Sequence, residues 1–161
     1  MKGRLFQCFR LFEARLQRQV KVARREGSVP PKTPLTLHIV GQMALIVSDL
    51  PIPVAGTTDL DAIGLLEYPA ATLLRALLLD IGLTLETDQH LIWMPSHTKY
   101  HPWYRGPLVR VDIADPLFVI ASKCKFQRAK DRALLAQYFA VFPEARKIIE
   151  RMRIATSWIT P

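Results

Sequence analysis

The first 26 residues constrain the fold more than any other segment, because their apolar residues recur at steps of three and four. This stripe contains Leu5, Cys8, Phe9, Phe12, Leu16 and Val20. The spacing predicts an amphipathic helix over residues 3–26, which Gly27 ends. Prolines follow in the segment 28–34, which is therefore predicted to be a linker between this helix and the rest of the chain.

Positive charge is concentrated on the other faces of this helix. The chain has a net charge of +8, and residues 1–26 carry +6 of it, since eight Lys or Arg stand against Glu13 and Glu26. Such a surface attracts polyanions, but a solvated helix face has the same composition. The helix is predicted either to dock on the main domain or to act as a basic arm for nucleic acid or a partner. A third alternative is a homo-oligomer in which the apolar stripe pairs with a second copy.

Length and composition exclude several classes of protein. A chain of 161 residues suits one domain, and a hydrophobic fraction of 50% excludes wholesale disorder. Two cysteines, Cys8 and Cys124, are too few for a disulfide scaffold or a cysteine zinc site, and they favour a reducing compartment. No apolar run reaches the roughly 18 residues of a membrane span, and arginines interrupt the N-terminal segment. We therefore expect a cytoplasmic protein without a membrane partner.

Beyond the linker, strand-like and helix-like segments follow one another in mixed order. Strands are predicted at 35–41, 57–64, 83–87, 90–94 and 108–113, and helices at 42–50, 68–79, 117–126, 129–141 and 144–156. The segment 95–107 contains three prolines and is predicted to be irregular. The order lacks strict βαβ alternation, which favours an α+β domain over 35–161. Its sheet part would span about 35–116 and its helical part, a small bundle, about 117–158.

The run from Thr57 to Asp61, Thr-Thr-Asp-Leu-Asp, carries the most chemical information. Residues two apart on a strand project from the same face, so Asp59 and Asp61 would lie about 7 Å from each other. Two such carboxylates repel each other unless a cation lies between them. Mg²⁺ prefers oxygen ligands and often takes one or two carboxylates together with substrate phosphates. The pair therefore predicts either a Mg²⁺ site, with Mn²⁺ as an alternative ion, or two solvated surface residues.

A glycine precedes this pair by about 18 residues. Gly41 stands between a predicted strand and a predicted helix, where the absence of a side chain lets backbone approach a phosphate closely. The helix N-terminus also favours anions. Gly41 and the aspartates together therefore indicate phosphoryl-transfer chemistry.

These segments resemble the polymerase-beta-type nucleotidyltransferase superfamily, and in particular its AbiEii-like and related small bacterial families. The matching residues are Ile39-Val-Gly41-Gln-Met-Ala44, Ala55-Gly-Thr57-Thr-Asp59-Leu-Asp61, Val111-Asp-Ile-Ala-Asp115-Pro116, Lys123 and Arg128-Ala-Lys130-Asp131. They follow the family's order over about 38–140. The resemblance implies a nucleotidyltransferase-like mixed sheet. It also implies transfer of a nucleoside monophosphate from an NTP substrate to an acceptor hydroxyl.

The same resemblance implies roles for individual residues. Asp59 and Asp61 would be metal ligands, and Asp112 is a candidate third carboxylate. The nucleotide would lie against Gly41, Gln42, Thr57, Lys123 and Lys130. The catalytic set would contain Asp59, Asp61, Lys123 and Asp131.

The resemblance also implies partners. The acceptor would be RNA, such as tRNA, or a protein, and an antitoxin partner is expected if the chain is a toxin or phage-defence component. Two positions depart from the family pattern: Gln42 stands where a second glycine is common, and Ala55 where an arginine is common. These departures leave a second hypothesis open, a catalytically degenerate module that binds RNA or a partner protein. It would use the N-terminal helix and the aromatic residues at 100–104.

Overall fold

A computed structural model of the protein describes residues 1–88 and 92–159. These residues form an α+β structure with six α-helices and one five-stranded mixed sheet. The strands are β1 (Leu35–Ile39), β2 (Asp59–Ile63), β3 (Thr84–Glu86), β4 (Tyr100–Arg105) and β5 (Val109–Ala114). The helices are α1 (Lys2–Arg25), α2 (Gly41–Val47), α3 (Tyr68–Leu79), α4 (Pro116–Phe126), α5 (Arg132–Val141) and α6 (Pro143–Arg151), with a 3-10 turn at Ala129–Asp131. The sequence of element types along the chain matches the prediction, but one of the five strands lies in a different segment.

The sheet has the strand order β3-β2-β1-β5-β4. The pairs β1–β5 and β2–β3 are parallel, and the pairs β1–β2 and β4–β5 are antiparallel. Opposed residues on neighbouring strands share a face of the sheet, and Asp61 is opposed to Glu86. On that face β2 presents Asp59 and Asp61, while Leu60 and Ala62 are buried on the other.

The amphipathic helix predicted at the N-terminus is confirmed, and it docks on the sheet. All six residues of the predicted stripe are buried, and Leu5, Phe9, Phe12 and Leu16 are completely inaccessible. They belong to the same hydrophobic core as the buried residues of β1 and β5. The stripe is therefore covered by the chain itself, which leaves it no apolar surface for pairing with a second copy.

A buried carboxylate fixes α1 to the sheet. Glu13 is 4% exposed and accepts hydrogen bonds from the Tyr104 hydroxyl at 2.6 Å and from the Leu108 backbone N–H at 2.6 Å. The β4–β5 turn contains Gly106, where any side chain would overlap the Glu13 carboxylate. Burial and the adjacent carboxylate raise the pKa of Tyr104, so the phenol stays a donor. A carboxylate at this depth needs such partners, so α1 has one register on the sheet.

One strand lies in a segment for which the sequence-based prediction is wrong. Residues 92–94 are not in a strand, and the remainder of the predicted strand 90–94 falls outside the described residues. The fifth strand is β4, within the segment predicted to be irregular. Pro102 is tolerated there because β4 is an edge strand with a register shift between Pro102 and Tyr104.

The aromatic residues of this segment pack against α1. Trp103 contacts Phe6 and Phe9 at centroid distances of 5.7 and 5.9 Å, and Tyr104 is buried beside them. They are therefore part of the contact between α1 and the sheet.

Two helix ends also differ from the predictions. α2 ends at Val47, three residues before its predicted end, and α6 ends at Arg151, before Arg153 with its φ of 62°.

Both cysteines are free and buried, and burial raises the pKa of Cys8 to about 11 and that of Cys124 to about 12. No helix in residues 1–88 and 92–159 is long and apolar enough to cross a membrane.

Candidate active site

A cavity of about 370 Å³ lies where β2 and β3 meet α2, α4 and the 3-10 turn. Most of the residues singled out in the sequence line it. They are Gly41, Gln42, Ala55, Thr57, Asp59, Asp61, Lys123, Arg128, Lys130 and Asp131. Residues separated by up to 90 positions in the chain thus converge on one concave site.

Carboxylates form one part of the lining. Asp59 and Asp61 come from the same face of β2, and Glu86 stands beside Asp61 on β3. Burial raises the pKa of Asp61 above its usual value, and the negative charges of Asp59 and then Glu86 raise it further. The positive charges of Lys123 and Arg128 act in the opposite direction. Burial and the neighbouring carboxylates therefore disfavour the ionised form of Asp61, and a cation bound beside it would relieve this.

The turn at Gly41 permits the close approach between α2 and β2. Gly41 has a φ of 62°, a backbone conformation that favours glycine. A Cβ at this position would overlap Oδ2 of Asp61 and lie 3.1 Å from its carboxyl carbon. The neighbouring Val40 N–H donates to the Asp61 backbone carbonyl at 2.9 Å. Both the backbone angle and the contact with Asp61 therefore require glycine here.

Side-chain hydrogen bonds beside the cavity hold the segment between α2 and β2 in place. The Gln42 amide donates to the Ala55 carbonyl oxygen at 3.1 Å, and the Asp59 N–H donates to the Thr57 hydroxyl at 3.2 Å. The two positions that depart from the family pattern, Gln42 and Ala55, thus contact each other. Gln42 holds the loop against the first turn of α2.

Cations form the opposite part of the lining, and Asp131 organises two of them. The Lys123 ammonium donates to Asp131 Oδ1 at 2.7 Å and Arg128 Nε donates to Asp131 Oδ2 at 2.7 Å. Lys123 and Asp131 are 5% and 4% exposed, whereas Arg128 and Lys130 are exposed. Burial lowers the pKa of Lys123. Burial alone would raise the pKa of Asp131, but the hydrogen bonds and charges of Lys123 and Arg128 outweigh it and lower that pKa.

One predicted site residue does not reach the cavity. Asp112 lies on β5, two strands from Asp61, and makes an ion pair with Arg105. Its Oδ2 lies 3.6 Å from Nδ1 of His38 on β1. The structure therefore separates Asp112 from the Asp59–Asp61 pair and gives its charge a different partner.

Several cavity residues were not predicted from the sequence as site residues, and three of them bear on the chemistry of the site. Glu86, Trp93 and Phe126 all line the site. Glu86 is brought to Asp61 by the parallel pairing of β2 and β3, which no local pattern indicates. Trp93 lies in a segment without regular structure, and Phe126 ends α4.

The carboxylates of the cavity offer oxygen ligands to a metal ion. No group of three or more His, Cys, Asp and Glu side chains in the described ranges has the arrangement of a metal centre. Asp59 and Asp61 remain as a two-carboxylate donor set of hard oxygens, and Mg²⁺ is commonly held by one or two carboxylates when substrate phosphates supply further ligands. The raised pKa of Asp61 fits such a site, since the crowded charge favours a divalent cation.

Comparisons of the chain with protein-family models, with curated proteins and with solved structures found no match. The assignment of the site therefore depends on the residues and their geometry.

Proposed function

We propose that this chain is a Mg²⁺-dependent nucleotidyltransferase with a nucleotidyltransferase-like fold and a C-terminal helical bundle. It would transfer a nucleoside monophosphate from an NTP to an acceptor hydroxyl and release pyrophosphate. One observation carries the proposal: a single cavity joins the Asp59–Asp61 pair, the Gly41 turn and the cations of the α4 region. Carboxylates for a metal and cations for phosphates are the two requirements of this reaction.

Different residues of the cavity would have different roles in this reaction. Asp59 and Asp61 would hold Mg²⁺, which when bound neutralises the charge that develops on the transferred phosphate. The absence of a side chain at Gly41 lets the Asp61 carboxylate pack directly against the start of α2. Lys130 and Arg128 are exposed and can bind the triphosphate, while Asp131 positions Arg128 and the buried Lys123.

Charge supports RNA as the acceptor. The exposed residues of α1 include Arg4, Arg10, Arg15, Arg18 and Lys21. Since the apolar stripe of α1 is buried, this basic surface has a fixed orientation on the protein. A tRNA-like acceptor would be attracted to it electrostatically. A role as a toxin or phage-defence component in the cytoplasm would follow from modification of such an RNA.

A second candidate function is a nucleotide- or RNA-binding module without transfer activity. The observation that favours it is the internal pairing of the site's cations, because Lys123 and Arg128 both bind Asp131. Gln42 is likewise occupied by the Ala55 carbonyl. Groups that already satisfy one another are less available to stabilise the charge that develops in a transition state, which favours binding without transfer.

Label transfer tests the proposal. The wild type is incubated with each α-labelled NTP, Mg²⁺ and bulk tRNA, and label on RNA or protein is measured together with pyrophosphate release. We expect Asp61→Asn to lower transfer by at least about a hundredfold, the scale on which metal-site residues contribute. Asp112→Asn is the matched control, because it removes the same charge outside the cavity, and it should retain activity.

Two outcomes would contradict the proposal. Full activity of Asp61→Asn would show that the carboxylate pair is not the metal site. Nucleotide binding by the wild type without transfer to tRNA or to protein would favour the non-catalytic module.

A further inference from the structure

Two aromatic rings line the cavity that contains the carboxylates and the cations. Trp93 is 36% exposed and Phe126 is 48% exposed, and both border the site. By contrast, Phe9 and Phe12 of α1 are completely buried. Aromatic rings carry a large apolar surface, whose removal from water is favourable. A ligand that covers these two rings would therefore be stabilised by the burial of their apolar surface.

The two rings form a defined wall. Their centroids are 6.5 Å apart and their planes make an angle of 89°, the edge-to-face arrangement that aromatic pairs prefer. Lys125 Nζ lies 5.5 Å from the Trp93 centroid, and Arg128 Cζ lies 5.9 Å from the Phe126 centroid. Both distances are within the range of cation–π contacts. Each of the two rings therefore has a positively charged side chain beside it.

Trp93 is held in place although its segment has no regular secondary structure. The Ser122 hydroxyl donates to the Trp93 carbonyl oxygen at 2.7 Å. Ser122 lies on α4, next to Lys123, so one helix positions both the aromatic wall and the buried lysine. The backbone of Trp93 is therefore fixed against α4, the helix that also carries Lys123.

The chemistry of the lining specifies the class of ligand. Cations recognise a phosphate chain, while exposed aromatic rings recognise a flat π-system. The cavity volume of about 370 Å³ is in the range of small-molecule sites. A molecule with both parts is a nucleotide. We infer that Trp93 and Phe126 bind the base of the NTP by stacking. This inference rests on the proposed function and assigns the base subsite of the same cavity.

Calorimetry with two ligands tests this subsite. The full chain is titrated with each of the four NTPs and with inorganic tripolyphosphate, all with Mg²⁺, because tripolyphosphate has the phosphate chain but no base. The wild type should bind NTPs at least about tenfold more tightly than tripolyphosphate, a difference of about 1.4 kcal/mol. Trp93→Ala and Phe126→Ala should lose most of this difference and leave tripolyphosphate affinity unchanged.

Conservative and matched variants keep the test informative. Trp93→Phe and Phe126→Tyr retain a ring and should retain NTP affinity within about threefold, and they serve if an alanine variant fails to fold. Trp158→Ala is the control, because Trp158 also has a cation over its ring, Arg132 at 5.8 Å, but does not line the cavity. Its NTP affinity should equal that of the wild type.

The outcomes separate this inference from the proposed function. Equal wild-type affinity for NTPs and tripolyphosphate, or equal loss of both in the alanine variants, would overturn the base subsite and leave the carboxylate mechanism standing. Base-dependent binding that requires Trp93 and Phe126, without label transfer, would support the subsite and remove the nucleotidyltransferase. Binding of neither ligand would overturn both.

Discussion

Gly41 and Asp61 are in contact at the point where β1 turns into α2, with the Asp61 carboxylate in the place that a Gly41 side chain would need. The two residues are 20 positions apart in the chain and belong to different elements. Their contact fixes the distance between the first turn of α2 and the carboxylate pair. The Gly41 turn and the proposed metal site are therefore one unit.

Gly41→Ala should disturb this unit. The variant combines an unfavourable φ with overlap on Asp61, so we expect a loss of about 2–4 kcal/mol in the free energy of unfolding and a loss of NTP binding. Gly82→Ala is the matched control, since Gly82 has a φ of 77° but open space around its Cβ position. It should cost about 1 kcal/mol and leave NTP binding intact. Urea denaturation and calorimetry measure the two effects. Equal behaviour of the two variants would contradict the role of the Asp61 contact.

Asp61 makes stability depend on pH. Its raised pKa means that the folded protein retains this proton to a higher pH than the unfolded chain does. Stability therefore falls as the pH rises from the usual carboxyl range through the raised pKa. We expect Asp61→Asn without Mg²⁺ to be more stable than the wild type at about pH 7, and the difference to disappear near about pH 4.

Urea midpoints in the presence of a chelator measure this dependence. Asp112→Asn is again the control, because it loses an ion pair with Arg105 and should gain no stability at neutral pH. An Asp61→Asn variant no more stable than the wild type at neutral pH would contradict a raised pKa of Asp61.

Asp131 should contribute more to stability than an exposed carboxylate does. Asp131→Ala leaves the Lys123 ammonium buried without its partner, so we expect a loss of about 3–5 kcal/mol in the free energy of unfolding. Glu144→Ala removes an exposed pair, with 3.5 Å between Glu144 and Lys147, and should cost less than about 1 kcal/mol. Chemical denaturation compares the two variants. Similar small losses in both would contradict the buried pairing.

The bond between Glu13 and Tyr104 should hold α1 in the fold. Tyr104→Phe removes a donor from a buried carboxylate, so we expect a loss of about 1–3 kcal/mol in the free energy of unfolding. Tyr68→Phe removes a hydroxyl from a side chain that is 81% exposed and should change stability by less than about 0.5 kcal/mol. Thermal and urea unfolding measure both. No loss in Tyr104→Phe would contradict a contribution of this hydrogen bond to the docking of α1.

The α1 prediction succeeded because 24 residues repeat one helical spacing, and burial of the stripe follows from it. β4 was missed because Pro102 disfavours a strand locally, whereas an edge position and a register shift tolerate it. Whether a strand lies at the edge of a sheet depends on the order of all its strands, so the six residues of β4 do not indicate it.

Local sequence located the Asp59–Asp61 pair and the Gly41 turn, because both are short motifs with fixed spacing. It did not indicate which strands are neighbours. Glu86 joins the site, and Asp112 does not, because β3 pairs with β2 whereas β5 lies beyond β1. Trp93 and Phe126 meet only through the packing of α4 against the segment at 92–94.

Thermal melting with each NTP, with and without Mg²⁺, tests the central claim most directly. The wild type, Asp59→Asn/Asp61→Asn and Asp112→Asn are compared. A ligand at a hundredfold excess over its Kd stabilises by about 2.7 kcal/mol, which raises the Tm of a chain of this size by about 5–10 °C. We predict such a shift for the wild type and for Asp112→Asn only when NTP and Mg²⁺ are both present, and none for the Asp59–Asp61 double variant. An equal shift in the double variant, or no shift with any NTP in the wild type, would contradict a metal-dependent nucleotide site at these carboxylates.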